Sequence, residues 1–209
     1  MISIEFEYGL DSEVQRVQNT LDDLKWLKEN KYRYSLPVFQ SEPEKVSNEE
    51  IQNSVKKEYS TVEFKIAEEA VRSAWEEKWT KIEKIQNTII GADKLDHIKI
   101  VFTRYGTGGS YRIPNRIVIN LQGKIPEYLI KTVIHECIHL MIENLILKNK
   151  VAHWHKERIV DLIMDREFES AFKMQNVPDF AKNIDSIFKE FYPDMISITE
   201  KASKLMSVI

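Results

Sequence analysis

The chain opens on a strict alternation of apolar and polar positions. In Ile2-Ser3-Ile4-Glu5-Phe6-Glu7-Tyr8 every second residue is apolar, the period of a strand with one buried face. Gly9 ends that run, and Asp11 or Ser12 offers an N-cap for a helix through Lys28. On it Val14, Val17, Leu21, Leu24 and Leu27 form one apolar stripe. Residues 30–48 carry Pro37 and Pro43 among polar neighbours and read as a linker. Helical spacing resumes at Ser47 and, with a break near Ser60, continues to Thr88. Trp75, Trp79, Ile82 and Ile85 supply its buried face, and Glu76, Glu77 and Lys81 its wet one. Gly91 closes it.

The texture then changes. Residues 98–105 read as a strand with Ile98, Ile100 and Phe102 apolar, and 116–121 as a second. Between them lies the glycine-rich Gly106-Thr107-Gly108-Gly109. Pro126 suits the first turn of a helix. The residues from there to Asn149 are so densely apolar that this helix has to be buried on most of its circumference. Another helix is predicted from about His153 into the 170s. A last helical stretch starts at Pro178 and is broken by Pro193 before the C-terminal tail.

This order predicts an α+β fold: a small, mostly antiparallel sheet, a long backing helix, a buried helix and a following glutamate helix. Residues 1–60 read as an N-terminal strand and helical elaboration, and 61–209 as the main domain, the two forming one compact unit. Composition narrows the class. At 43% hydrophobic and 30% charged, the 209 residues belong neither to a disordered tail nor to a membrane bundle. A net charge of -3 gives no general attraction to nucleic acid, and no apolar stretch near a terminus is long enough to cross a bilayer. Residues 1–10 lack the features of a signal peptide. The one cysteine, Cys137, leaves no intrachain disulfide framework. A cytoplasmic protein is the expectation.

The chemistry concentrates on the buried helix. His135 and His139 are four apart, so both imidazoles leave one face and can take two corners of a zinc tetrahedron. Glu136 is displaced around the helix, where it reaches a water rather than the metal. Cys137 faces away and reads as a small core residue. Thr132, Val133, Ile138, Leu140 and Met141 surround the group with uncharged residues. For a third ligand, Ile142 and Leu145 occupy the places where a metzincin carries its glycine and third histidine. The next helix offers His153, His155, Glu157, Asp161 and Asp165. Glu157 and Asp161 share a face, His153 joins it if the helix begins early enough, and His155 points elsewhere.

His-Glu-x-x-His followed on the next helix by Glu-x-x-x-Asp resembles the gluzincin clan, the thermolysin-like metallopeptidases, in a small form. The resemblance implies zinc-dependent hydrolysis of a peptide or protein substrate. His135, His139 and Glu157 would then be the zinc ligands, Glu136 the general base, and Asp161 a hydrogen-bond partner behind His135. Lys156 stands where that clan usually has asparagine, Val160 where it has a small residue, and the spacing from His139 to Glu157 is slightly shorter. His153, Tyr111 and Arg112 are candidates for contacting the substrate or its oxyanion. Glu143, a turn after His139, is expected to be structural. The segment Tyr105 to Arg112 reads either as a hairpin loop or as an edge that takes a peptide as an added strand. It is not a phosphate loop, since the closing Lys-Ser/Thr is missing. Three alternatives stand beside this one. A SprT-like protease would use His153 or His155 as third ligand. A non-catalytic module would use zinc as a staple. A latent enzyme would have its N-terminal helices, up to about Ser60, over the cleft. No nucleic-acid or membrane partner is expected.

Overall fold

A computed structural model describes residues 2–169, 172 and 174–205. Strand β1 is Ser3–Glu7, and two helices follow, α1 (Leu10–Asp22) and α2 (Leu24–Glu29). The single helix predicted through Lys28 is therefore interrupted, at Asp23, where two adjacent aspartates are poor helix formers. The apolar stripe survives the break, with Val17, Leu24 and Leu27 all buried. Helix α1 starts a residue ahead of the predicted caps. The Ser12 hydroxyl donates instead to the Gly9 carbonyl at 2.8 Å.

Beyond the linker come α3 (Asn48–Glu58) and the long α4 (Thr61–Thr88), separated where the spacing predicted. The Ser47 hydroxyl caps α3 by accepting from the Glu50 N–H at 3.2 Å. Next are β2 (His97–Thr103), β3 (Gly109–Arg112), β4 (Arg116–Asn120), α5 (Pro126–Asn149), α6 (His153–Glu167), α7 (Ile184–Phe191) and α8 (Met195–Ala202). Helix α6 ends short of the 170s; positions 170, 171 and 173 and the tail at 206–209 lie outside the described residues. No described helix is long and apolar enough to cross a membrane.

The sheet is mixed, not mostly antiparallel. Its order is β1-β2-β4-β3, with β1 parallel to β2, β2 parallel to β4, and only β3 antiparallel to β4. The error has a definite source. Two neighbouring strand patterns joined by a glycine-rich loop suggest one hairpin, but Gly109–Arg112 is itself a strand. The hairpin is β3–β4, so the chain reverses twice and β4 enters beside β2 in the same direction. Strand β1 reaches β2 through the crossover that contains α1 to α4. Residues before 60 thus share one sheet with those after it.

Helix α5 lies in the main core. It packs on α4, α6 and α8 and on the β3–β4 side of the sheet. Val133, Ile134, Cys137, Ile138, Met141 and Ile142 are fully buried with Phe64, Val71, Ile100 and Ile117 in one cluster. A smaller cluster of Val17, Ile51, Val55 and Tyr105 joins α1 to α3. The linker is fastened to the sheet by paired backbone bonds between Ser35 and Gly106, at 3.0 and 2.8 Å.

Glu13 is buried in that second region, where its carboxylate accepts the Arg104 N–H at 2.9 Å. Burial holds its carboxyl above the ordinary value. Stability from this group is therefore full below the unfolded-state value of about 4.3 and is lost as pH rises through the higher folded-state value. Glu13→Gln is expected to raise Tm at pH 7 by about 2–4 °C, the response of a chain this size to ~1 kcal/mol, and to leave Tm unchanged below about pH 4. Thermal melts at the two pH values check this; a lower Tm at pH 7 refutes it.

Candidate metal centre

Helix α5 presents His135 and His139 one turn apart, ring centroids 4.6 Å from each other and nearly perpendicular. Their Nε2 atoms are 3.0 Å apart. Glu157 arrives from α6, with Oε2 3.3 Å from His135 Nε2 and 3.4 Å from His139 Nε2. The short connection places it there. Lys150 takes a left-handed φ of 54° to close α5, Val151 is buried, and α6 begins at His153. Ile159, Val160, Ile163 and Met164 then seat α6 in the core.

Three lone-pair-bearing atoms thus converge, and the trio can hold a metal ion. Bonds of about 2.0–2.2 Å at tetrahedral angles separate ligand atoms by about 3.3–3.6 Å, close to the spacings found. His139 is 1% exposed, and among the described residues its Nδ1 has no hydrogen-bond partner, a deficit that a cation at Nε2 would leave in place.

The surrounding charges are unevenly placed. Burial pushes His139 down to about 4. Burial also lowers His135, but Glu157, Glu136 and Asp161 outweigh it and hold this ring above its ordinary value. Glu157 is raised by burial, yet bonding to the two histidines takes it well below the usual carboxylate range. Asp161 is buried, with Oδ1 3.9 Å from His135 Nδ1, ion-pair range rather than a hydrogen bond. Its other oxygen accepts the Gln175 N–H at 2.7 Å.

Glu136 lines the same cleft, a space of about 920 Å³. It is almost fully buried, and burial raises its carboxyl to about 7. Gly109 of β3 lies against it: a Cβ at that position would stand 2.5 Å from Glu136 Oε1 and 2.6 Å from Thr132 Cγ2. The glycine there permits the close approach. Lys124, lowered to about 8 by burial, donates to the Gly108 carbonyl at 2.5 Å and to the Thr132 hydroxyl at 3.2 Å.

Of the candidates around the trio, Tyr111 faces the site and Arg112 does not. Side chains alternate along β3, so Tyr111 shares the face of Gly109. Its ring stacks on His139 at 4.8 Å. Its hydroxyl donates to Glu143 at 2.5 Å and accepts from Lys156 at 2.8 Å, which gives Glu143 its structural partner. Arg112 is exposed at the end of β3, paired in register with Arg116 and outside the cleft lining. His153 stands at the rim, Nδ1 3.9 Å from Glu157 Oε1 and Nε2 2.5 Å from the Tyr32 hydroxyl. His155 is buried edge-on against Phe180 at 5.8 Å, turned from the trio as a regular helix requires. Cys137 is buried in the core.

Comparison with known proteins adds no assignment. The chain matches no protein-family model, no curated protein and no solved structure.

Four site residues escaped the sequence reading: Tyr32, Lys124, Lys156 as a partner of Tyr111, and Gln175. Tyr32 and Gln175 lie in segments without periodicity, so no local pattern marked them. Lys124 follows Gly123, a turn glycine of φ 70°, and only that turn hinted at its direction.

Metal affinity should separate these roles. Glu157→Ala is expected to weaken binding of a divalent ion more than Asp161→Ala, whose loss should be about 10- to 100-fold. His155→Ala should leave affinity unchanged. Competition with a chelator ranks the three variants; an empty site in His155→Ala with a filled one in Glu157→Ala overturns the assignment.

Proposed function

We propose that the protein is a zinc-dependent peptidase of the gluzincin type, with His135, His139 and Glu157 as ligands and Glu136 as general base. The observation that carries this reading is the convergence of two imidazole nitrogens and one carboxylate oxygen, with a second buried carboxylate beside them in one cleft. Two histidines and a glutamate are a catalytic zinc set, whereas a structural site is closed by four ligands, usually rich in cysteine. Zinc in that set supplies a Lewis acid that makes water a nucleophile near neutral pH and polarises a carbonyl.

The chain's own residues do the rest. Glu136 takes the proton of the attacking water and delivers it to the departing amine. Burial raises its carboxyl above the ordinary value, which makes it a better acceptor of that proton. Gly108 to Tyr111 border the cleft on the edge strand of the sheet, so a peptide can lie along β3 as an added strand. His153 and Tyr111 line the cleft and are the candidates to stabilise charge developing on the carbonyl oxygen, Tyr111 once its hydroxyl proton leaves Glu143. Neither His153 nor His155 belongs to the converging trio, which disfavours a histidine third ligand. A second reading, restraint of the cleft by the N-terminal segment, draws on Trp26, Tyr32 and Arg33 in its lining and on the Tyr32–His153 bond.

Glu136→Gln is expected to retain about one zinc per chain but to lose about 10²- to 10⁴-fold in hydrolysis of a fluorogenic peptide library. Elemental analysis and initial rates measure both. Full activity in this variant removes Glu136 from the mechanism, and absence of zinc from the wild-type protein removes the whole proposal.

Gly109→Ala tests the wall against which Glu136 rests. Its methyl has to displace the Glu136 carboxylate or Thr132, so hydrolysis should fall at least about tenfold with zinc content retained. A variant as active as the wild type would mean that the contact with β3 does not position the base.

A further inference from the structure

Gln175 lies between α6 and α7, in a stretch with no regular secondary structure and no motif. Its side-chain amide nevertheless reaches the metal centre. Nε2 is 3.1 Å from His135 Nε2 and 3.2 Å from Glu157 Oε2. Those separations match the ones within the trio, 3.0, 3.3 and 3.4 Å. Gln175 Nε2 thus forms a second triangle with His135 Nε2 and Glu157 Oε2, on the edge that those two atoms share with the trio. Gln175 also lines the cleft from its solvent side, since the residue is exposed while the trio is largely buried.

The backbone holds the side chain in this place. The Gln175 N–H donates to Asp161 at 2.7 Å, Met174 Sδ is 2.9 Å from an Arg158 guanidinium nitrogen, and Val177 is buried. Arg158 and Asp161 are on α6, the helix that carries Glu157. The amide is thus aimed at the trio by two anchors on the same helix as one of the ligands.

We propose that Gln175 is a fourth protein ligand of the metal centre, binding through its amide oxygen and giving way to substrate or water. The inference rests on the metal-centre reading above. The two ends of a carboxamide are alike in shape and opposite in polarity. In the structure the amide donates to Glu157 Oε2 and stands beside His135 Nε2, which carries a lone pair in one tautomer. A cation held by those atoms reverses the preference, and a half-turn about the terminal torsion presents Oε1 with the amide otherwise in place. A neutral amide is a weaker ligand than imidazole or carboxylate, and this one hangs from an exposed segment. Gln175 therefore closes the resting site without closing it for good, and a stronger ligand displaces it.

The test is zinc affinity of the full chain, by competition with a chelator, for wild type, Gln175→Ala and Gln175→Glu. Because Gln175 is exposed and its backbone bond does not depend on the side chain, both variants should fold. A ligand role predicts the order Glu, Gln, Ala from tightest to weakest, with Ala weaker than wild type by about tenfold or more. A role limited to donating a hydrogen bond to Glu157 predicts otherwise: Gln175→Glu sets two carboxylates together and binds zinc more weakly than wild type. Acetohydroxamate, which binds zinc directly, should bind Gln175→Ala more tightly than wild type, because no amide has to leave. The visible d–d bands of the cobalt-substituted chain should change on Gln175→Ala in the absence of acetohydroxamate. Equal zinc affinity in all three proteins, with binding still abolished by His139→Ala, overturns this inference and leaves the peptidase reading standing. No zinc binding by the wild-type chain overturns both.

Discussion

The fold depends on a conflict at the middle of α5: the helix that fills the core also carries two imidazoles and a carboxylate. His135, Glu136 and His139 are all buried, on a helix whose flanking residues are among the least exposed in the chain. An unsatisfied polar group in such a place costs about 1–3 kcal/mol. The structure offers few hydrogen-bond partners to relieve this, and His139 Nδ1 has none. What it offers instead is Glu157, brought from the next helix to within 3.4 Å of both rings. Two ring nitrogens and a carboxylate oxygen converge there, a group that could hold a metal ion.

The same conflict explains the cleft. Helix α5 is covered by α4, α6, α8 and the sheet, so its polar face needs a way out to solvent. That way is the gap between β3 and α6. Its two sides differ in kind. On the strand side the backbone comes very near, with Gly109 against Glu136. On the helix side the long Lys156 side chain reaches across to the Tyr111 hydroxyl, which donates to Glu143 of α5. Tyr111 ties the two sides together, since its ring also stacks on His139.

Much of this was legible in the sequence because it rests on local periodicity. The four-residue spacing of His135 and His139, the four-residue spacing of Glu157 and Asp161, and the dense apolar flanks of α5 are properties of single helices. So is the turn of His155 away from the trio, into the core beside Phe180. The sheet was less legible, because β3 has four residues, its first residue and the one before it are glycines, and its pattern is too short to show a period. Missing it changed the direction assigned to β4 and hence the sheet type. The sequence offers Tyr111 and Arg112 as separate candidates and cannot choose between them, because the rule that adjacent strand residues point to opposite faces applies only once the strand is assigned. Tyr32 and Gln175 were out of reach for a further reason. Their positions follow from tertiary anchors, Ser35 on Gly106 for one and Asp161 for the other.

Asp161 joins the metal centre to that last segment. One oxygen faces His135 Nδ1 at 3.9 Å and the other receives the Gln175 N–H at 2.7 Å. The shorter contact is to the backbone, so Asp161 holds the segment more firmly than it orients the ring. In the resemblance that the sequence suggested, this aspartate stands behind a ligand histidine and nothing else. Here its stronger contact lies on the opposite side. That contact is to the backbone N–H and not to the side-chain amide, so Asp161 stays tied to the segment whichever way the Gln175 amide turns.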